Sequence, residues 1–514
     1  MSTDLLAELD DAIARTNQAL TPREALVIRA PVETIAFQDA PASEDTTPRA
    51  RNFRDRIPWI ELFLAAQFLW GVAMFIPGAQ QYRGYVRALP YIASLGLLVL
   101  YVPLSVRGSR PRGLALLLAS LALLVLNLLQ PTTPWSAGIA QCVFQLSIAA
   151  PMFWAYKGVR SPERLNRVLI LVFLMNFASA GLGVLQVYFP DQFMPPQFNL
   201  NLAEDYLATL TYIGRGGRLV VRPPGLTDQP GGAALAGALT VLLGLGLSLD
   251  VKSEFRRIGL LGASAVGLAV IYLTQVRSAL LMVIVGVALL SVLAFRQGRI
   301  AAGAWIYVSG GTLVIAAFLW ASSVGGASVE QRFLNIRDQG VLETYQENRG
   351  HYITNTVGEL LDQYPLGAGV GRWGMMSAYF GDPSDFRSPP FYVEPQITGW
   401  LLDGGIPMWL LYGGAIMFSL LAGWKMTRSL DIGLAKLALI VVPVQVFVAG
   451  LGMAGPIFNT QMGIIFWMMA SALHGAERGN RLELDVSPAS SQRSHRNSEG
   501  EDAPAERVGI DTGF

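Results

Sequence analysis

The chain has 514 residues and a formal net charge of +1, and 52% of its residues are hydrophobic whereas only 15% are charged. This composition is typical of a membrane protein rather than a soluble one, and we expect no nucleic-acid partner. Cys142 is the single cysteine, which excludes a disulfide framework and a cysteine metal site within one chain.

The first 56 residues are polar and have no apolar segment near the start. We therefore expect no cleavable signal peptide and interpret residues 1–56 as a disordered cytoplasmic tail. Twelve apolar runs follow within residues 57–474, each close to the roughly 20 residues that a helix needs to cross a bilayer. They begin near Ile60, Leu89, Gly113, Gly138, Leu169, Gly231, Ile258, Ala279, Ala304, Gln396, Leu434 and Ile457. The sequence predicts an all-α polytopic membrane protein with about 12 transmembrane helices.

Arginine and lysine residues collect in alternate gaps between these runs. Clusters lie ahead of the first run and, for example, in residues 107–112, 157–167 and 252–257. Such residues accumulate in cytoplasmic loops, so we predict that both termini are cytoplasmic. Residues 475–514, rich in Ser, Glu, Arg and Asp, are then a second disordered cytoplasmic tail.

Two long loops, residues 190–230 and 321–394, fall on the opposite side, which is predicted to be periplasmic. Loops of this length are usually functional or disordered. The second loop has apolar residues at helical spacing between Leu342 and Tyr364, which predicts an amphipathic helix on or near the membrane surface. Arg349 and His351 lie on this helix.

Arginines on the same side suggest an anion site. Arg215, Arg218 and Arg222 lie in the first long loop, and Arg277 lies in a tight turn between two apolar runs. A charge near the membrane centre costs about 2.5–3.5 kcal/mol on insertion scales, so such a residue needs a partner or a role. Guanidinium groups bind phosphate through paired hydrogen bonds, and an anionic lipid headgroup is the expected ligand. The alternative is that Arg277 only reaches the interface and the loop arginines are solvated.

A glycine-rich segment follows the predicted helix. Gly369, Gly371 and Gly374 match G-x-G-x-x-G, but they follow a helix, whereas a dinucleotide fingerprint follows a strand. We interpret the segment as a tight turn that offers amides to phosphate. Arg372 lies within it and is a further candidate for phosphate binding.

Four ordered segments on this side form a family pattern. An Arg/Gly/Pro-rich segment precedes a Gly/Ala-rich run, and a short Arg-Ser turn follows. An arginine helix then ends in Pro-Leu-Gly-Ala-Gly-Val-Gly, and a last segment combines leucines, an acid and Gly-Ile-Pro. The four are residues 222–230, 274–280, 348–371 and 394–407. On these segments the chain resembles the O-antigen ligase and O-antigen polymerase superfamily of bacterial membrane glycosyltransferases, in which the turn reads Ser-Arg.

The resemblance implies that the protein transfers or polymerises a glycan at the periplasmic face of the bacterial inner membrane. The donor would be an undecaprenyl-diphosphate-linked glycan, and the acceptor would be a sugar hydroxyl of a glycan or lipid. The reaction would invert the anomeric centre, with no cofactor, metal or nucleotide sugar. Membrane lipids and polysaccharide-assembly proteins are further candidate partners.

The resemblance also assigns roles to residues. Fixed guanidinium groups can stabilise the negative charge that develops on a leaving diphosphate. The diphosphate-binding candidates are Arg222, Arg277, Arg349, Arg215 and Arg372. Where the family has the histidine thought to activate the acceptor, this chain has Glu394, and a carboxylate can act as a general base if its pKa is suitable. His351 is the second candidate base.

A polysaccharide transporter or flippase is the competing interpretation. Ion-coupled carriers place ionisable groups inside the helix bundle. Within the apolar runs these are few, namely Glu61, Asp403 and Lys436, and the sequence has no evident internal repeat. A non-catalytic assembly or sensory membrane protein is the third interpretation.

Overall fold

Each predicted apolar run coincides with a helix in the computed structural model. The structure describes residues 57–76, 78–101, 110–195, 211–214, 217, 219–227, 229, 231–382, 384 and 390–498. The predicted tail at 1–56 and Arg215 therefore lie outside the described residues. In chain order the helices are α1 (Trp59–Ala73), α2 (Arg83–Tyr101), α3 (Leu114–Leu126), α4 (Trp135–Ala149), α5 (Pro162–Tyr188), α6 (Ala233–Ser248), α7 (Glu254–Thr274), α8 (Arg277–Arg296), α9 (Ile300–Gly325), α10 (Gln396–Met426), α11 (Ile432–Leu451) and α12 (Gln461–Ser498).

Eight of the described helices are long and apolar enough to cross a membrane, namely α2, α4 with its continuation Pro151–Gly158, α5 and α7 to α11. Helices α1, α3 and α6 are apolar but shorter. Large apolar side chains such as Val99, Val308 and Leu319 are more than 60% exposed on these helices. Such surfaces suit contact with hydrocarbon rather than water. The chain is thus a mostly helical protein of membrane type, and the count of about 12 crossings stays a prediction.

Helix α6 is buried along nearly its whole length, between α5, α7 and α8. Small residues allow this close packing. A Cβ atom added at Gly237 would lie 2.5 Å from the carbonyl oxygen of Gly267, and one added at Gly267 would lie 2.6 Å from that of Gly237. Helices with such glycines can bring their backbones together in a membrane. The tight packing places the segment before α6 beside the turn between α7 and α8.

Helix α10 is bent within its length. Gly404 and Gly405 leave the helical conformation, Gly405 with φ of 62°, and Pro407 follows. Glycine adopts positive φ without a steric penalty, and proline removes a backbone donor, so this sequence concentrates the bend at one point. The first part of α10, which begins just after Glu394, therefore has its own direction.

The first long loop contains a small hairpin, so the protein is not purely α-helical. Strand β1 (Thr211–Ile213) pairs with strand β2 (Leu219–Val221) in antiparallel register, with Tyr212 opposite Val220. Other short elements are the 3-10 turns Ala79–Tyr82, Asn127–Leu129 and Ile457–Asn459 and the helices Pro190–Phe193, Ala327–Gln339 and Gly374–Phe380.

A helix is present where the sequence predicts one in the second long loop, and its amphipathic contact with the membrane surface stays a prediction. It is built from alternating α and π turns, which are Val341–Tyr345, Gln346–Gly350, His351–Asn355, Thr356–Leu360 and Leu361–Gln363. The two π turns are Gln346–Gly350 and Thr356–Leu360. π turns within α-helices are rare and are frequent at functional sites.

Helix α12 continues to Ser498, whereas the sequence predicts a disordered tail from residue 475. The segment after His474 is rich in good helix formers such as Glu477, Arg478, Leu482 and Glu483. Their helix propensity lets the chain extend the apolar helix that precedes them. Polarity is thus a poor guide to where this helix ends.

Candidate functional site

One pocket brings together three of the arginines singled out in the sequence. It has a volume of about 250 Å³. Its walls come from four separate parts of the chain, which are the segment after β2, the α7–α8 turn, the first two turns of the second-loop helix, and the loop after α11. The lining residues are Arg222, Gln275, Val276, Arg277, Ser278, Leu281, Thr344, Tyr345, Asn348, Arg349 and Ala454.

Arg222 is held by the packing of the segment that follows it. The backbone N–H of Gly225 donates to the Gln186 side chain of α5 at 2.8 Å, and the Gln186 amide donates back to the Gly225 carbonyl at 3.0 Å. Gly225 has φ of 64°, which favours glycine. Burial lowers the pKa of the Arg222 guanidinium, although nearby Tyr212 opposes this shift. The Arg222 Nε is buried and has no hydrogen-bond partner among the described residues, while the residue lines the pocket.

Arg277 is the first residue of α8 and follows a sharp reversal of the chain. Gln275 ends α7 with φ of 58°, and among the described residues it is the only non-glycine residue with positive φ. Non-glycine residues rarely adopt this conformation, and it recurs at functional sites. The reversal presents Arg277 together with the partial positive charge of the α8 N-terminus to the pocket. Both charges favour an anionic ligand.

Arg349 lies on the first π turn of the second-loop helix. In an α-helix each residue is rotated by about 100° around the helix axis from the one before it. The side chains of residues five apart therefore point in directions about 140° apart. A π turn has hydrogen bonds between residues five apart and brings them nearer to one face. Thr344 and Arg349, five residues apart, both line the pocket. The Tyr345 hydroxyl donates to the Met453 carbonyl at 3.0 Å and ties this helix to the loop after α11.

Glu394 does not itself line the pocket, but it contacts Arg349, which does. The two side chains form an ion pair, and the Tyr392 hydroxyl donates a hydrogen bond to the other carboxylate oxygen. The Glu394 side chain is 21% exposed and the Arg349 side chain is 37% exposed. Glu394, just before the first residue of α10, is thus in contact with the cationic wall.

His351 is not among the residues that line the pocket. Its ring lies against Tyr352, with 4.0 Å between ring centroids, and Tyr352 lies 5.7 Å from the ring of Tyr392. A chain of contacts through Tyr352 and Tyr392 thus links His351 to Glu394. Of the two candidate bases, Glu394 is the one paired with an arginine of the pocket, Arg349.

Arg372 occupies a different place from the predicted one. It is only 2% exposed, its Nη1 donates to the Ala368 carbonyl at 2.7 Å, and its guanidinium lies 4.4 Å from the centre of the Phe391 ring. It does not line the pocket. These contacts bind Arg372 to its own turn, which gives it a structural position.

The glycine-rich segment forms the predicted tight turn, and it wraps around a buried carboxylate. Asp403 of α10 is 1% exposed and accepts a hydrogen bond from the Trp373 indole N–H at 2.9 Å. A buried charge needs such partners. The glycine-rich segment therefore contacts Asp403 through the Trp373 side chain.

We expect Gly371→Ala to lower the free energy of unfolding by about 1–3 kcal/mol, because both the backbone conformation at Gly371 and its close neighbours exclude a side chain. Gly371 has φ of 80°, and an added Cβ would lie 2.4 Å from the Ala137 carbonyl carbon. The measurement is the apparent melting temperature of the purified protein in detergent. Gly358→Ala is the matched control, since an added Cβ at Gly358 meets no atom within 4 Å. Equal melting temperatures for the two variants would contradict the conclusion that the tight turn has no space for a side chain at Gly371.

Among the described residues, no group of three or more His, Cys, Asp and Glu side chains is placed to hold a metal ion. No protein-family model matches the chain, and a search of curated proteins found no match either. The likeness to the O-antigen ligase superfamily therefore rests on the four sequence segments.

The sequence analysis did not identify Thr344 and Asn348 as pocket residues. The available signal was their spacing of one helical turn and their position just before Arg349.

Proposed function

We propose that this protein is a membrane glycosyltransferase of the polymerase or ligase type, which uses an undecaprenyl-diphosphate-linked glycan as donor. One observation carries the proposal, namely that Arg222, Arg277 and Arg349 line a single pocket with Glu394 paired to Arg349. Three guanidinium groups around a pocket of about 250 Å³ match the charge of a diphosphate. A carboxylate beside them supplies a base.

The reaction follows from these positions. The oxygen of an acceptor hydroxyl bonds to the anomeric carbon of the donor sugar from the face opposite the diphosphate, while the bond from that carbon to the phosphate oxygen breaks. The electron pair leaves with undecaprenyl diphosphate, where the arginines stabilise the added charge. Glu394 takes the proton of the acceptor hydroxyl. The anomeric centre is inverted, and no metal or cofactor takes part.

Donor binding also prepares the base. The Glu394 carboxylate pairs with Arg349 and accepts a hydrogen bond from the Tyr392 hydroxyl. A diphosphate carries more charge than a carboxylate and competes for the Arg349 fork. Its binding releases Glu394 from the ion pair, so the base becomes available only when the leaving group is in place.

Transfer by the purified protein tests the proposal. The protein in lipid nanodiscs is incubated with an undecaprenyl-diphosphate-linked glycan and an acceptor glycan in the presence of EDTA. We expect a longer or ligated glycan and release of undecaprenyl diphosphate. In proteoliposomes, movement of the lipid-linked glycan across the bilayer with no new glycosidic bond would instead identify the transporter or flippase.

The proposed reaction requires the pocket to face the periplasm, with the protein in the bacterial inner membrane and both termini in the cytoplasm. The basic clusters support this orientation. Acceptor glycan or lipid, membrane lipids and polysaccharide-assembly proteins are the proposed partners.

Cysteine labelling checks the orientation. In a Cys142→Ala background, we expect Ser384→Cys to react with a membrane-impermeant maleimide in spheroplasts, because exposed Ser384 lies in the second long loop. Ser253→Cys, at an exposed position between α6 and α7, should react only after the membrane is permeabilised. The reverse pattern would invert the topology and remove the pocket from the periplasm.

A further inference from the structure

The pocket has a neutral polar wall as well as a cationic one. Gln275, Thr344 and Asn348 line it beside the three arginines, and Val276 and Leu281 add apolar surface. A diphosphate needs only hydrogen-bond donors and positive charge. A wall of hydroxyl and amide groups, which both donate and accept, suits a ligand that also does both.

Thr344 carries an unsatisfied group on this wall. The residue is 8% exposed, and its hydroxyl oxygen is buried with no hydrogen-bond partner among the described residues. Buried hydroxyls are normally paired, because an unmade hydrogen bond in an interior is costly. Thr356, on the second π turn of the same helix, shows the usual arrangement, since its hydroxyl donates to the Tyr352 carbonyl at 2.7 Å.

Thr344 lies in the wall of the pocket, and local backbone contacts hold it there. The Asn348 side chain donates to the Thr344 carbonyl at 2.7 Å, and the π turn places Thr344 and Arg349 on one wall. A group bound to Thr344 is therefore a neighbour of a group bound to Arg349. In a lipid-linked donor the neutral, hydroxyl-bearing neighbour of the diphosphate is the first sugar.

We propose that Thr344 binds a hydroxyl of the donor's first sugar, directly beside the diphosphate, and so makes the pocket selective for a glycosylated carrier over bare undecaprenyl diphosphate. This proposal rests on the proposed function. It assigns Thr344 to the donor sugar rather than to the acceptor or the phosphate. Spent carrier, which lacks the sugar, then binds more weakly and leaves after transfer.

Binding without acceptor tests the assignment. The probes are undecaprenyl diphosphate and its galactose, glucose and N-acetylglucosamine derivatives, titrated against protein in nanodiscs. We expect wild type to bind at least one sugar-bearing probe more tightly than the bare lipid. Thr344→Val keeps the shape of the side chain and removes the hydroxyl. It should lower the affinity for that probe about fivefold, as expected for one neutral hydrogen bond, and leave the affinity for the bare lipid unchanged. Thr344→Ser should restore the binding, and Thr356→Val is the matched control with wild-type affinities.

Each other outcome overturns the assignment. If Thr344→Val loses affinity equally for the bare and the sugar-bearing lipids, the Thr344 hydroxyl binds the phosphate instead of the sugar. A raised KM for the acceptor with unchanged donor binding would place it on the acceptor sugar. If wild type binds all four lipids with equal affinity, the proposed sugar contact is refuted. The same holds if Thr344→Val binds each lipid with the affinity of wild type. Failure of wild type to bind undecaprenyl diphosphate at all would instead refute the proposed function.

Discussion

Glu394→Gln should lower the rate of glycan transfer by about 10²–10⁴-fold, the range for loss of a general base. The amide cannot take the acceptor proton, but it has nearly the same shape and can still accept the hydrogen bond from Tyr392. Donor binding should persist or tighten, because the variant no longer holds Arg349 in an ion pair. The measurements are kcat in the transfer assay and the Kd for the lipid-linked donor.

His351→Ala provides the comparison, since His351 lies outside the pocket and contacts Tyr352. We expect its transfer rate to stay close to that of wild type. Glu394→His restores the residue type of the ligase pattern and should retain measurable activity. If Glu394→Gln transfers glycan at the wild-type rate and His351→Ala does not, the base has been assigned to the wrong residue.

Arg277→Lys should reduce kcat/KM for the lipid-linked donor on the order of 100-fold, the scale of one lost group that stabilises transition-state charge. Lysine keeps the positive charge but lacks the planar fork that binds two phosphate oxygens at once. The loss of kcat/KM should exceed the loss caused by a packing defect. The Gln275 turn, with its positive φ, fixes the position of Arg277, so another side chain cannot move into its place in the pocket. Arg349→Lys should behave similarly.

The control for this series is Arg87→Lys. Arg87 is an α2 residue whose Nη1 donates to the Tyr379 hydroxyl of the second long loop at 3.1 Å, and it does not line the pocket. All three variants should reach normal abundance in the membrane. Full activity in Arg277→Lys and Arg349→Lys would remove both arginines from the mechanism, whereas equal losses in all three would indicate a general effect of the substitution.

Local patterns in the sequence predict the helices well. Long apolar runs are read directly from composition, so the twelve helix positions and the helix near Arg349 are recognisable without tertiary information. The grouping of Arg222, Arg277 and Arg349 follows from the side of the membrane assigned to their loops, and the structure does place them around one pocket.

Features that depend on distant contacts are not readable in this way. Arg372 looks like a phosphate-binding residue in a glycine-rich turn, yet its partners are the Ala368 carbonyl and Phe391. The unpaired hydroxyl of Thr344 depends on which side of the helix the π turns present.

The hydrogen bond between Tyr345 and Met453 joins residues 108 positions apart, and this separation orders events during biosynthesis. A ribosome adds about 5–20 residues per second, so roughly 5–20 s pass between synthesis of Arg349 and synthesis of Met453. During that interval the nascent chain already contains every arginine of the pocket but lacks the loop that secures the second-loop helix. A chain interrupted there contains all three arginines but not Ala454, so one wall of the pocket is still missing.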